Sequence, residues 1–207
     1  LALIQTGCAE QSTWMSLNSS NPRIIWEVKP QADLENITGE QISTPEFKMS
    51  DYVKGVVPGT VFTAYVEAGT VPDPNYADNI YKVDETFYNR PFWYRTEFEL
   101  PSSYSEGKRV WLHFDNTNRF ADFYFNGEKI SGTKTSTKDV SGHMLRSKFD
   151  VTNLVKKSGK NVIAVLITDA DQKKTRKAKD PYGVACSPSY LAGAGWDWMP
   201  YVPGRLA

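Results

Sequence analysis

The alternation of apolar and polar side chains is clearest in the middle of the chain. Phe92, Tyr94, Thr96, Phe98 and Leu100 fall on one face, and Trp93, Arg95, Glu97 and Glu99 on the other. This period of two predicts a half-buried antiparallel strand, which Pro101 ends. Val110, Leu112 and Phe114 repeat the pattern, with Arg109, Trp111 and His113 opposite. Within 119–125, Ala121, Phe123 and Phe125 share a face, and Asn126-Gly127 then predicts a two-residue hairpin turn whose central positions both need positive φ. Residues 128–130 return. Further strands are expected at 24–28, ended by Pro30, and at 148–151. After Asn161 comes an unbroken apolar run to Ile167, which suits a central strand covered on both faces.

One short helix interrupts this β pattern. Thr60 can cap it, Val61, Phe62, Ala64, Tyr65 and Val66 form its body, and Gly69 fits the left-handed stop. Residues 31–51 hold scattered polar and charged side chains with Pro45 as a breaker. Residues 71–91 carry Pro72, Pro74 and Pro91 without a clear period, and a structureless loop of ~20 residues in a compact domain is often functional. Hairpin-linked strands with one short helix predict an all-β jelly-roll sandwich. No Gly/Ser linker divides 24–207, so this range reads as one domain, and the polar stretch 9–23 reads as a poorly ordered lead-in.

Charge narrows the function classes. Lys plus Arg and Asp plus Glu are 24 each, a balance that offers no nucleic-acid footprint. The basic run Lys173, Lys174, Arg176, Lys177 and Lys179 reads as solvated surface. Six Trp, eleven Tyr and ten Phe fit a strand-rich core, with some left for a sugar-facing surface. Cys8 and Cys186 are far apart and fit no metal spacing, and His113 and His143, with no Ser or Cys partner pattern, read as surface histidines. No metal or other cofactor is implied. Leu1–Ile4 followed by Gln5-Thr6-Gly7-Cys8 resembles the tail of a bacterial lipoprotein signal, with Gln5 where Leu is usual. Residues 1–8 are therefore expected to be an export-signal remnant with Cys8 lipidated, placing the protein at a bacterial cell surface or in the periplasm. Membrane association is expected only through that anchor.

Four blocks, in order, carry a resemblance to a known family. They are Val57-Pro58-Gly59-Thr60-Val61 with Ala68-Gly69, Pro72-Asp73-Pro74 and Tyr76-Ala77-Asp78-Asn79; Trp93-Tyr94-Arg95-Thr96-Glu97-Phe98; Ala121-Asp122-Phe123-Tyr124-Phe125-Asn126-Gly127 with Phe149-Asp150-Val151-Thr152; and Gly195-Trp196-Asp197-Trp198-Met199-Pro200 with Arg205. Over 24–207 the chain resembles the N-terminal galactose-binding-like domain of glycoside hydrolase family 2, in its β-mannosidase and exo-β-glucosaminidase branch. Asn116 stands where the family pattern has Gly.

The resemblance implies a first domain that serves a retaining glycosidase by binding a glycan substrate. Its partners would be an immunoglobulin-like domain and a TIM barrel of the same protein. The two carboxylates of the reaction belong to the barrel, so no residue here is assigned a catalytic role and the chain alone is expected to be inactive. Asp197 is implied to bond hydroxyls of the terminal sugar, with Trp196 or Trp198 as an apolar platform. The bland alternative is that both indoles are core and Asp197 caps a turn. Asp78 and Asn79 are implied to approach the same site; for them the alternative is an Asx turn. Tyr182, Tyr190 and Arg205 are weaker candidates. The family normally continues past Pro203-Gly204-Arg205 into a further strand, so truncation at the C-terminus is expected. A stand-alone carbohydrate-binding module and a decayed structural domain remain alternatives, as do β-galactosides or β-glucuronides as substrates.

Overall fold

Period-two runs that cannot bury their apolar faces alone must stack as sheets. The computed structural model describes residues 2–8, 10–88, 90–104, 107–117, 120–132, 140–141 and 146–168. In chain order its elements are β1 (Ala2–Cys8), β2 (Glu10–Ser16), β3 (Trp26–Pro30), a 3₁₀ turn (Gln31–Leu34), α1 (Gly39–Ile42), β4 (Val53–Gly55), α2 (Val61–Glu67), a second 3₁₀ turn (Asn79–Lys82), α3 (Glu85–Tyr88), β5 (Phe92–Phe98), β6 (Arg109–Phe114), β7 (Phe120–Phe125), β8 (Glu128–Lys129), β9 (Val140–Ser141), β10 (Ser147–Asp150) and β11 (Asn161–Thr168). A four-stranded sheet has the order β10-β6-β1-β2. A seven-stranded sheet runs β4-β3-β5-β11-β7-β8, with β9 also on β7. Every pairing is antiparallel. The all-β, galactose-binding-domain-like expectation therefore holds.

The main core lies between the sheets. Val110, Leu112, Phe114 and Phe149 from one meet Phe92, Tyr94, Phe98, Phe123, Phe125, Ile163 and Val165 from the other. The Phe123 ring sits 4.5 Å from Phe114 and 5.0 Å from Phe149, centroid to centroid. The helix at 61–67 forms as expected: Thr60 Oγ1 accepts from the Thr63 amide at 3.0 Å, and Gly69 takes φ +70° beyond its end. The hairpin also forms, with Asn126 at φ 48° and Gly127 at φ 91°.

Three expectations are corrected. The second face of β5 is not solvated. Trp93 joins Tyr124, Ala164 and Leu166 on the outer face of the large sheet, under Leu34, Ile42 and Met49 from the segment 31–51, and forms a second core. Alternation separates two faces but does not say what covers each. Among the described residues the single helix becomes three short ones, because 31–51 and 71–91 contain α1 and α3. Thr38 supplies a full capping box to α1: its hydroxyl accepts from the Gln41 amide, and the Gln41 side chain accepts from the Thr38 amide at 2.9 Å. Finally, the polar stretch 9–23 is not a loose lead-in. Glu10–Ser16 pairs with β1, which also pairs with β6, and Trp26 Nε1 donates to the Leu17 carbonyl at 2.7 Å. Ladder bonds run between backbones, so a polar edge strand can form without an apolar repeat.

Candidate functional site

The proline-rich stretch 71–84 is a built loop. Asp73 Oδ1 accepts from the Asn75 amide at 2.9 Å and from Asn75 Nδ2 at 3.1 Å, closing an Asx turn. Asn79 Nδ2 donates to the Asp73 carbonyl at 3.0 Å and closes the 73–79 segment on itself. Between them Ala77 is held at φ 52°, in the left-handed region where a side chain is disfavoured. Backbone strain of this kind persists only where neighbours enforce it.

The loop presents polar and aromatic groups side by side. Lys82 Nζ donates to Asp78 Oδ1 at 2.8 Å and to Asn79 Oδ1 at 3.3 Å. The Asp78 side chain is 70% exposed. Tyr76 and Tyr81 are 72% and 87% exposed, and the Tyr81 amide donates to the Asp78 carbonyl. The expected pair Asp78 and Asn79 is thus brought together at the tip. The Asx turn is made by Asp73, and Asp78 forms no side-chain cap on the 3₁₀ turn that follows it. Lys82 and Tyr81 were missed by sequence reasoning. The four-residue step from Asp78 to Lys82 was the available signal, and it has meaning only once that stretch is known to be helical.

An aromatic cluster is built from the segments that flank the loop in sequence. The Tyr65 ring of α2 lies 5.1 Å from Phe87, 5.6 Å from Tyr88 and 6.4 Å from Phe92. Burial, reinforced by the neighbouring Tyr88 hydroxyl, pushes the Tyr65 phenol up to about 12, so it stays a neutral donor at any physiological pH. Val71 and Val83, at the two ends of the loop, pack on the main core. The remaining expected site residues, Asp197, Trp196 and Trp198, with Tyr182, Tyr190 and Arg205, lie outside the described residues. Cys8 is the last residue of β1. His113 lies on the expected outer side of β6 but is half-buried rather than a surface residue, with its ring 5.4 Å from Trp14 and its Nε2 out of solvent. Among the described residues no three His, Cys, Asp or Glu side chains gather as a metal site would need, and no helix is long and apolar enough to cross a membrane.

The family model described as glycosyl hydrolase 2 galactose-binding domain-like matches residues 26–204. The chain belongs to this family. Its glycosyl hydrolase 2 relatives include a mannosylglycoprotein endo-β-mannosidase of Lilium longiflorum, 30% identical over 87% of this chain and 19% of the relative. An exo-β-D-glucosaminidase of Streptomyces avermitilis is 30% identical over 61% of this chain and 13% of the relative. Among solved structures, the exo-chitosanase of Amycolatopsis orientalis aligns with a TM-score of 0.60 at 25% identity, over 72% of this chain and 16% of that one. The β-D-mannosidase of Dictyoglomus thermophilum, at 22% identity and a TM-score of 0.61, supports the fold alone. This glycosyl hydrolase 2 domain spans about a fifth or less of the curated relatives it matches.

Proposed function

We propose that this chain is the N-terminal sugar-binding domain of a retaining family 2 glycoside hydrolase of β-mannosidase or exo-β-glucosaminidase type. In this reading Asp197 bonds hydroxyls of the terminal sugar in a site completed by a barrel domain. One observation carries the reading: the family match runs through residue 204 and so takes in the Gly195-Trp196-Asp197-Trp198 block, which resembles that branch. An ionised carboxylate accepts two hydroxyl bonds in charge-assisted form, and an indole offers an apolar face to the C–H face of a pyranose. The loop tip adds acceptors at Asp78 and Asn79, a donor at Lys82 and two exposed phenols, a set that matches a polyhydroxylated ligand. The chain's part is binding and orientation. The acid/base and nucleophile stand on the barrel, about 5–5.5 Å apart in a retaining enzyme.

The test is hydrolysis of four aryl glycosides by the polypeptide as its gene encodes it. Turnover of the β-mannoside or the β-glucosaminide should exceed that of the β-galactoside and β-glucuronide at least tenfold, and residues 1–207 alone should turn over none. Hydrolysis by residues 1–207 alone, or a preference for the galactoside or glucuronide, contradicts the reading. Export with lipidation at Cys8 is part of the same proposal. Cleavage before Cys8 would remove most of β1, so radiolabelled palmitate in the mature protein supports lipidation and an intact N-terminal segment opposes it.

A further inference from the structure

A groove of about 800 Å³ lies where the end of β2, the turn before β3 and the end of β5 meet. No residue of the 71–84 loop lines it. Its volume is within the ~300–1,000 Å³ range of small-molecule clefts and leaves room for more than one sugar ring. Three large apolar side chains in its wall remain open to solvent: Trp14 at 47%, Ile25 at 48% and Tyr52 at 40%. Exposed indole and phenol rings in a concave wall with polar groups among them are the features that bind the C–H faces of sugars.

The charges of the groove select among ligands. Glu27 is paired with Arg95, and Glu97 with Arg95, Lys48 and Lys160. These carboxylates are neutralised and held in place. The Arg23 guanidinium and the Glu99 carboxylate also line the groove; among the described residues neither forms a salt bridge, although Glu99 feels the charge of Lys160. One donor-only and one acceptor-only group, of cancelling charge, match a neutral ligand whose hydroxyls both donate and accept. A polyanion would meet Glu99, and a polycation would meet Arg23.

We propose that this groove is a second glycan-binding site, taking an uncharged chain of β-linked hexopyranose units away from the 71–84 loop. The choice of sugar rests on the function proposed above; the groove and its charge balance do not. Tyr52 and Ile25 grip the rings, Arg23 donates and Glu99 accepts. Such a site would hold a polysaccharide against the domain while its end is processed elsewhere.

The test is calorimetric titration of residues 1–207 with β-1,4-mannohexaose, and separately with a glucosamine oligomer of equal length. Tyr52→Ala, Arg23→Ala and Asp78→Ala are compared, with melting curves to confirm folding. The expected result is mannohexaose binding that Tyr52→Ala and Arg23→Ala each weaken at least fivefold, in the parent and in the Asp78→Ala background alike. No mannohexaose binding by the parent chain at millimolar ligand overturns the proposal. So does binding that Asp78→Ala removes and Tyr52→Ala spares, although the reading of the 71–84 loop would then stand. Tighter binding of the glucosamine oligomer overturns the assignment of a neutral ligand.

Discussion

All three guanidinium nitrogens of Arg95 are engaged inside the protein, where the side chain is 1% exposed. Nε donates to the Ile42 carbonyl at 2.9 Å, and Nη2 to the carbonyls of Thr44 and Phe47 at 3.1 and 3.0 Å. Nη1 meets Glu27 at 2.7 Å, and Nη2 also meets Glu97. A strand residue thus clamps the segment after α1 onto the outer face of the sheet. Replacing it with Met keeps the volume but strands the Glu27 carboxylate and three carbonyls. Removing one partner of a buried pair costs about 3–5 kcal/mol, so Arg95→Met should lower unfolding stability by that order in urea. Glu97 is the matching acid. Burial alone would raise its pKa, but bonds from Lys160, Arg95 and Lys48 overrule this and hold it at about 2, below the ordinary 4.5. A carboxyl depressed on folding stabilises the fold fully above its unfolded pKa, and that contribution fades as pH falls from about 4.5 toward 2. Stability should therefore drop steeply across that window, and Glu97→Gln should flatten the drop. An unchanged slope in the variant would remove Glu97 from the account.

Among the elements, α1 shows how closely the outer layer packs. Gly39, its first residue, faces the Tyr124 ring so closely that an added Cβ would overlap the ring atoms. Gly39→Ala should cost about 1–3 kcal/mol through displacement of Tyr124 or of the helix, read as a lowered melting temperature. A neutral outcome would mean that the layer is looser than described. This layer was not legible from periodicity. The residues of β5 alternate faithfully, and only β11, the run after Asn161, announced two covered faces through unbroken apolarity. On β5 the outer positions are Trp93, Arg95 and Glu97, and charge there reads as solvent until a partner is known. The hairpin at Asn126-Gly127 was legible because positive φ demands those residues. Its tertiary role was hidden: Asn126 Nδ2 donates to the Leu154 carbonyl and to Asn161 Oδ1, both at 2.8 Å, and its Oδ1 accepts from the Val162 amide. At the 71–84 loop the motif pointed to Asp78 and Asn79. The Asx turn of Asp73 and the lysine bridge that shape the tip arise from backbone geometry that spacing alone does not specify.

At the scale of the whole molecule, two antiparallel sheets supply the frame, and the proposed sugar-binding chemistry rests on what that frame displays. The family match spans the domain from β3 to the Trp196-Asp197-Trp198 block, while the curated relatives extend several times further. In the proposed reading the domain contributes to catalysis through side chains that touch the sugar. The central claim is that Asp197 does so. The most direct test is kcat/KM of Asp197→Ala in the polypeptide as its gene encodes it, on the aryl glycoside that the parent prefers, with a melting curve for each protein. A lost hydrogen bond to a charged group is worth about 1.5–3 kcal/mol, so the account predicts a fall of roughly 10- to 100-fold at an unchanged melting temperature. An unchanged kcat/KM in the folded variant would contradict it and leave the domain a structural support.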